Sequence, residues 1–239
     1  MSDQAKVNQV QAESRWYKFW REWRGFFAFI VVMLLFRSAV ADWNQVPSGS
    51  MLPSILIGDR IVVNKMAYDL RVPFTLIRLA SWEDPQRSDI ITFDSPHDGK
   101  LLVKRVVGVP GDVVEMRNNR LIINGERASY GSVDEGSLPE PITAVIDDWS
   151  VKRESVLGNE RTVMTRLRPN RHVSSTFGPI TVPANQYLVL GDNRDNSADS
   201  RVIGFVDRSL ILGRANSIAF SIDFDRYWLR SERFFKSLD

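Results

Sequence analysis

From Phe26 to Phe36 the chain carries eleven apolar residues without a break, FFAFIVVMLLF, and no other stretch matches it. Arg37 follows, then small and apolar residues to Ala41, and Trp16, Tyr17, Trp20, Trp23 and Trp43 flank the run. So short a run also suits a buried core helix or the apolar part of a removable signal peptide. Three features favour a single membrane-spanning helix over 25–41. Arg37 can extend its cation to the headgroups, the flanking aromatics suit an interface, and Trp20 to Trp43 reaches about 35 Å as a helix. Arg15, Lys18, Arg21 and Arg24 precede the run, whereas the next twenty residues after Ala41 contain only Arg60. That asymmetry predicts residues 1–24 in the cytoplasm and an extracytoplasmic domain over 42–239.

Beyond the run the pattern changes to short apolar stretches between turn signals: Arg60–Asn64, Asp89–Phe93, Leu101–Val107 and Gln186–Leu190. This spacing predicts an all-β domain. Val113–Met116, a turn at Arg117–Asn119 and Arg120–Ile123 read as a hairpin, with Asn124-Gly125 as a second turn. From about 128 to 183 the chain is rich in Gly, Pro, Ser and charge with weaker periodicity, which reads as an inserted segment or small second domain.

Composition changes this picture only by exclusion. With 239 residues, 44% apolar and 25% charged, the chain is long enough for one or two cores. Residues 1–24 hold five basic and three acidic residues, 5 − 3 = +2, so the whole net charge of +2 sits there and the remainder sums to zero. A nucleic-acid binder needs its basic stripe on the folded domain, so no nucleic-acid partner is expected. The chain has no cysteine and only two histidines, His97 and His172. Thiolate chemistry is excluded, little remains for a metal site or a His-based triad, and no metal or cofactor is expected.

Three clusters could carry chemistry. Pro47-Ser48-Gly49-Ser50-Met51-Leu52-Pro53-Ser54 taken alone is a turn. In LLVKRVVGVPGD, strand alternation puts Leu102, Lys104 and Val106 on one face and Val103, Arg105 and Val107 on the other. One of the two cations must then be solvated or held at a cost, and an edge strand with both wet is the plain alternative. Residues 191–201, GDNRDNSADSR, form a polar loop after an apolar strand. Its spacing does not match a calcium loop, and a buried loop of this kind supplies hydrogen bonds to other polar groups.

Together these clusters resemble the bacterial type I signal peptidases, membrane-anchored Ser-Lys endopeptidases. The matching residues are the apolar anchor, PSGSMLPSILIGD at 47–59, SDIITF at 88–93, KRVVGVPGD at 104–112, and GDNRDNSADSR with GF within 191–205, all in the family's order. The resemblance implies an antiparallel β-barrel-like catalytic domain with a β-rich insertion. It implies a Ser50 nucleophile, Lys104 as neutral general base, and an oxyanion held by the Ser48 hydroxyl and the Ser50 N–H. Ser197 would aim the amine, with Asp199 and Arg201 as a salt-bridged brace. The implied substrates are secretory preproteins, bound as an added strand and cut after small residues of an A-x-A site at the outer face of the cytoplasmic membrane. Val46, Met51 and Val103 are either walls of the side-chain pockets or ordinary core.

The sequence departs from the family at Ser54, Ser88, Val109 and Val202-Ile203, none at an implied catalytic position. The phospholipid bilayer is the second expected partner, and nothing in the sequence sets an oligomeric state. The C-terminal segment, with Arg226, Arg230 and Arg233 among Tyr227, Trp228, Leu229, Phe234 and Phe235, either meets headgroups or packs on the domain. A self-cleaving repressor-type protease would need a DNA-binding domain, for which residues 1–24 are too short. A catalytically inert peptide-binding module would not need the intact Ser50–Lys104 pair.

Overall fold

The computed structural model describes residues 2–75, 77–168, 174–224 and 226–238, with side chains from Trp16 onward. His172 lies outside the described residues. Helix α1 (Ser2–Ala39) leads into β1 (Ala41–Gln45), β2 (Asp59–Asn64), β3 (Asp69–Arg71), β4 (Arg78–Ser81), β5 (Ile90–Asp94) and β6 (Leu101–Gly108). There follow β7 (Val113–Arg117), β8 (Arg120–Ile123), β9 (Glu126–Arg127), β10 (Ser129–Ser132), the short helix α2 (Glu140–Thr143), β11 (Trp149–Val156) and β12 (Asn159–Arg166). The chain closes with β13 (Phe177–Thr181), β14 (Gln186–Leu190), α3 (Ser200–Ile203), β15 (Val206–Asp207), β16 (Ile211–Asp223) and β17 (Trp228–Leu229).

The architecture is mainly β and its strand pairs are antiparallel, as expected. The principal sheet runs β1-β2-β16-β5-β6-β14-β15, with β17 on β16. It is open rather than barrel-like: β15 is two residues long and leaves no strand to meet β1. Burial alternates along β2, so Ile61 and Val63 enter a core with Val46, Met51, Ile55, Ile90 and Ala215. The C-terminal half of β6, from Arg105, lies between β5 and β14, and both Lys104 and Arg105 are buried, so the alternative with both cations wet does not hold. The predicted hairpin is β7–β8, joined by Asn118 and Asn119 at φ 50° and 60°; two left-handed residues let a two-residue turn follow strand twist. Asn124-Gly125 makes the second turn, to β9. Within the segment read as an insertion, β10-β11-β12 form their own sheet, while β13 returns to β7.

The helix begins earlier and ends sooner than the 25–41 expectation, because Ala41 already pairs with Asn64 of β2. Among the described residues no helix is long and apolar enough to cross a membrane. Glu22, Arg24 and Arg37 break up the stretch around Phe26–Phe36. Every side chain from Trp16 to Arg37 is exposed, including the whole apolar run. The C-terminal segment packs on the domain: Arg233 is buried against Asp59 (2.6 Å), and Phe234 meets Phe220 edge-on, while Tyr227, Trp228 and Phe235 stay exposed.

Candidate active site

Ser50 lies in a one-turn 3-10 helix, Gly49–Met51, tied down by Met51 and Ile55 in the core beneath it. Lys104 reaches it from β6, with Nζ 2.8 Å from Ser50 Oγ and 2.8 Å from the Val103 carbonyl oxygen. The lysine is only 3% exposed and has no carboxylate at ion-pair distance among the described residues. Burial penalises its cation and lowers the amine from its ordinary 10.5 to about 8, while Asp199 and Asp192 pull weakly the other way. A neutral amine can donate to Val103 and still accept from the Ser50 hydroxyl, which an ammonium cannot do.

Arg105, on the opposite face, makes a two-pronged contact with Asp192 at 2.9 and 2.8 Å, and Ser54 donates to the same carboxylate at 2.6 Å. The two adjacent cations therefore sit in opposite electrostatic circumstances, one unpaired and one fully paired.

The loop after β14 closes over Ser50. Asn193 N–H donates to the Ser50 carbonyl (3.1 Å), and its side-chain amide donates to the Gly49 carbonyl (3.0 Å). Gly191 allows this approach, since a Cβ there would lie 2.3 Å from Ser197 Oγ and 2.5 Å from the Ser50 carbonyl oxygen. Gly49 lacks a Cβ for a local reason as well: one would come within 2.9 Å of Leu52 Cδ1.

Ser197 is buried beside this contact; among the described residues its Oγ has no hydrogen-bond partner, and the amine is bonded to the Ser50 hydroxyl and the Val103 carbonyl. Asp199 and Arg201 do form a two-pronged pair at 2.8 Å, and Asp199 also accepts from the Gly191 N–H. The pair lies within the loop, and Asp199 also acts electrostatically on Lys104. Ser48 is exposed, its hydroxyl 3.5 Å from Ser50 Oγ. The Ser50 N–H belongs to the first turn of its helix, where backbone donors lack internal partners. Val46 and Met51 are buried in the core with Ile55 and Ile61, and Val103 is half-buried against them. Sequence reasoning did not single out Asn193 within its loop; its position between Asp192 and Arg194 gave no local signal that its amide would meet residue 49.

Residues 20–220 match the family model described as signal peptidase, peptidase S26. This chain belongs to that family. Its members are endopeptidases that cleave signal peptides from secretory preproteins, and this chain is one of them. Signal peptidase I of Pseudomonas fluorescens is 36% identical over 211 residues, covering 83% of this chain and 71% of that protein. The Pseudomonas aeruginosa signal peptidase I is 33% identical over 210 residues, with the same coverage of 83% and 71%. A crystallised signal peptidase I from Enterococcus faecalis V583 shares 32% identity, covering 56% of this chain and 98% of that one, at a TM-score of 0.34, too low for a comparison of folds. The S26 peptidases are membrane-associated and face away from the cytoplasm.

Proposed function

We propose that this peptidase works with Ser50 as nucleophile and neutral Lys104 as general base, and the observation that carries this is the buried, carboxylate-free amine 2.8 Å from the hydroxyl. The Ser50 proton passes to Lys104 Nζ as Oγ attacks the scissile carbonyl. The resulting ammonium gives that proton to the leaving amine, and water then hydrolyses the acyl-enzyme with Lys104 again as base. The Ser50 N–H and the Ser48 hydroxyl are the donors for the oxyanion. Asp199 and Arg201 hold the covering loop, and Ser197 fills the space between that loop and Ser50.

The substrate adds as a strand to β6. The pairing of β14 covers β6 only from Arg105 to Gly108, so the edge at 101–104 is open where it leads to Lys104. Val103 lines the floor there, with Met51 and Val46 behind it, a shallow apolar surface suited to small A-x-A side chains.

The exposed apolar belt from Phe26 to Phe36 belongs in the bilayer, with Arg24 and Arg37 reaching the headgroups at either end. Residues 1–24 then lie in the cytoplasm, a span occupies 25–41 as far as the helix allows, and 42–239 form the outer domain with an insertion at about 128–183. Eight residues separate Ala41 from Ser50, at most about 30 Å of chain, so cleavage takes place just above the lipid.

Membranes carrying wild type, Ser50→Ala and Lys104→Arg test the dyad on a preprotein substrate. Cleavage is expected from wild type alone, and equal cleavage by all three would remove the reading. For topology, protease added to intact spheroplasts is expected to digest 50–239 and spare 1–24.

A further inference from the structure

The segment at 128–166 has no part in the dyad, yet it holds the most heavily buried ion cluster outside it. Glu154 of β11 is fully buried. Arg194 grips both its oxygens, at 2.8 and 2.6 Å, and Arg161 Nε donates to one at 2.6 Å. The Tyr130 hydroxyl donates to the other at 2.6 Å. Burial alone would raise this carboxyl, but the two guanidinium groups outweigh it and hold it at about 2. An ionised carboxylate so deep is costly to keep, and cores of comparable volume do as well with apolar residues. Its position explains its presence. Arg194 belongs to the loop that closes over Ser50.

The main chain makes the same connection. Met164 N–H of β12 donates to the Asp192 carbonyl and Arg194 N–H donates to the Met164 carbonyl, both at 2.8 Å, so Asn193 forms an isolated parallel bridge with β12. Arg166 N–H donates to the Asp195 carboxylate at 2.8 Å. The other side of the same loop residue, Asn193, bonds the carbonyls of Gly49 and Ser50. A path thus runs from Glu154 to Arg194 by side-chain contact, along the chain to Asn193, and by the Asn193 N–H to the Ser50 carbonyl.

We propose that the inserted sheet is a buttress for the catalytic loop and that Glu154 is a positioning residue acting through Arg194, an inference that rests on the Ser50–Lys104 reading above. The loop has no ladder of its own apart from its contact with β12. Without Glu154, Arg194 is a buried cation without its anion and is driven towards water, which carries Asn193 and the cover over Lys104 with it. Lys104 then gains solvent, and its titration rises. Loss of the Glu154 charge by itself would act oppositely, since removing an anion disfavours a cation. Among the described residues, the charged groups that act on Lys104 are Asp192 and Asp199, both on the loop.

The test compares Glu154→Gln with Arg161→Gln, which loosens the same cluster but leaves the Glu154–Arg194 contact in place. Both are assayed on a preprotein in membranes, with Ser50→Ala as the inactive control. Glu154→Gln is expected to lower kcat about tenfold or more with KM nearly unchanged. It should also move the acidic limb of the pH profile upward by about half a unit. Arg161→Gln should lower thermal stability while keeping kcat and the limb of wild type. A folded Glu154→Gln enzyme with wild-type kcat and limb, or an Arg161→Gln enzyme that matches it in both, overturns the proposal. If Glu154→Gln does not fold, Arg194→Lys keeps the charge, loses the two-pronged geometry, and is judged by the same criteria. Cleavage by Ser50→Ala would instead sink the dyad itself.

Discussion

Lys104 and Arg105 are neighbours on one strand, equally hidden from water at 3% and 7% exposure, and the protein treats them in opposite ways. On one face a carboxylate meets the guanidinium prong for prong. On the other, the nearest polar partners of the amine are a hydroxyl and a carbonyl, neither able to neutralise an ammonium. Under the proposed dyad, the group that takes up a proton is desolvated and unpaired, whereas the group tied to the loop is paired. The residue types follow the same division. Arginine does not deprotonate in proteins and could not serve on the first face, whereas lysine lacks the fork needed on the second.

The sharpest way to break this comparison is to make the two faces alike. Lys104→Arg supplies a permanent cation where a base is needed and is expected to lower kcat by about 10⁴-fold, with folding retained, measured by preprotein cleavage beside a thermal melt. The wild-type profile belongs to the same test. Because the amine is lowered to about 8, it is protonated below that pH, and kcat/KM should fall about tenfold per unit on further acidification. A profile flat from pH 6 to 9 would contradict a lysine base.

Arg105→Gln addresses the paired face. It leaves Asp192 buried with only Ser54 as partner and is expected to cost about 3–5 kcal/mol of stability, read from denaturant unfolding of the solubilised protein. Next in size, Ser48→Ala should reduce kcat by about 10²-fold while the melting temperature stays put, because the residue is exposed and, in the proposed mechanism, its hydroxyl donates to the developing oxyanion. The smallest effect is a gain. Ser88 sits at φ 76°, its buried hydroxyl has no partner, and its carbonyl accepts from Arg105. Ser88→Gly removes the left-handed strain and the orphaned hydroxyl, and should stabilise the fold by about 1 kcal/mol without touching activity.

The contrast between α1 and the sheets bears on how far a linear reading reaches. The apolar run was plain in the sequence because it is contiguous, and the structure leaves it bare, as a surface awaiting another phase would be. Strand segments and the Asn118-Asn119 and Asn124-Gly125 turns were equally legible, since alternation and left-handed turn residues act over a few positions. The open sheet was not. Whether β15 can close on β1 depends on a strand only two residues long, and length at that scale leaves no periodic trace.

By itself, then, the sequence determined the chemistry that residue type dictates: a serine in a Ser-Gly-Ser-Met turn, one lysine within an apolar strand, no cysteine, and a net charge confined to the first 24 residues. It also determined the local geometry that a period of two or a turn pair dictates. Only the tertiary structure decided that the Lys104 amine meets the Val103 carbonyl, that Asn193 bonds the turn at Ser50, and that Glu154 stands behind Arg194. The last two contacts join residues 144 and 40 positions apart. Such pairings are chosen by which buried charge or carbonyl lacks a partner once the sheets have packed, a condition that does not exist in the unfolded chain.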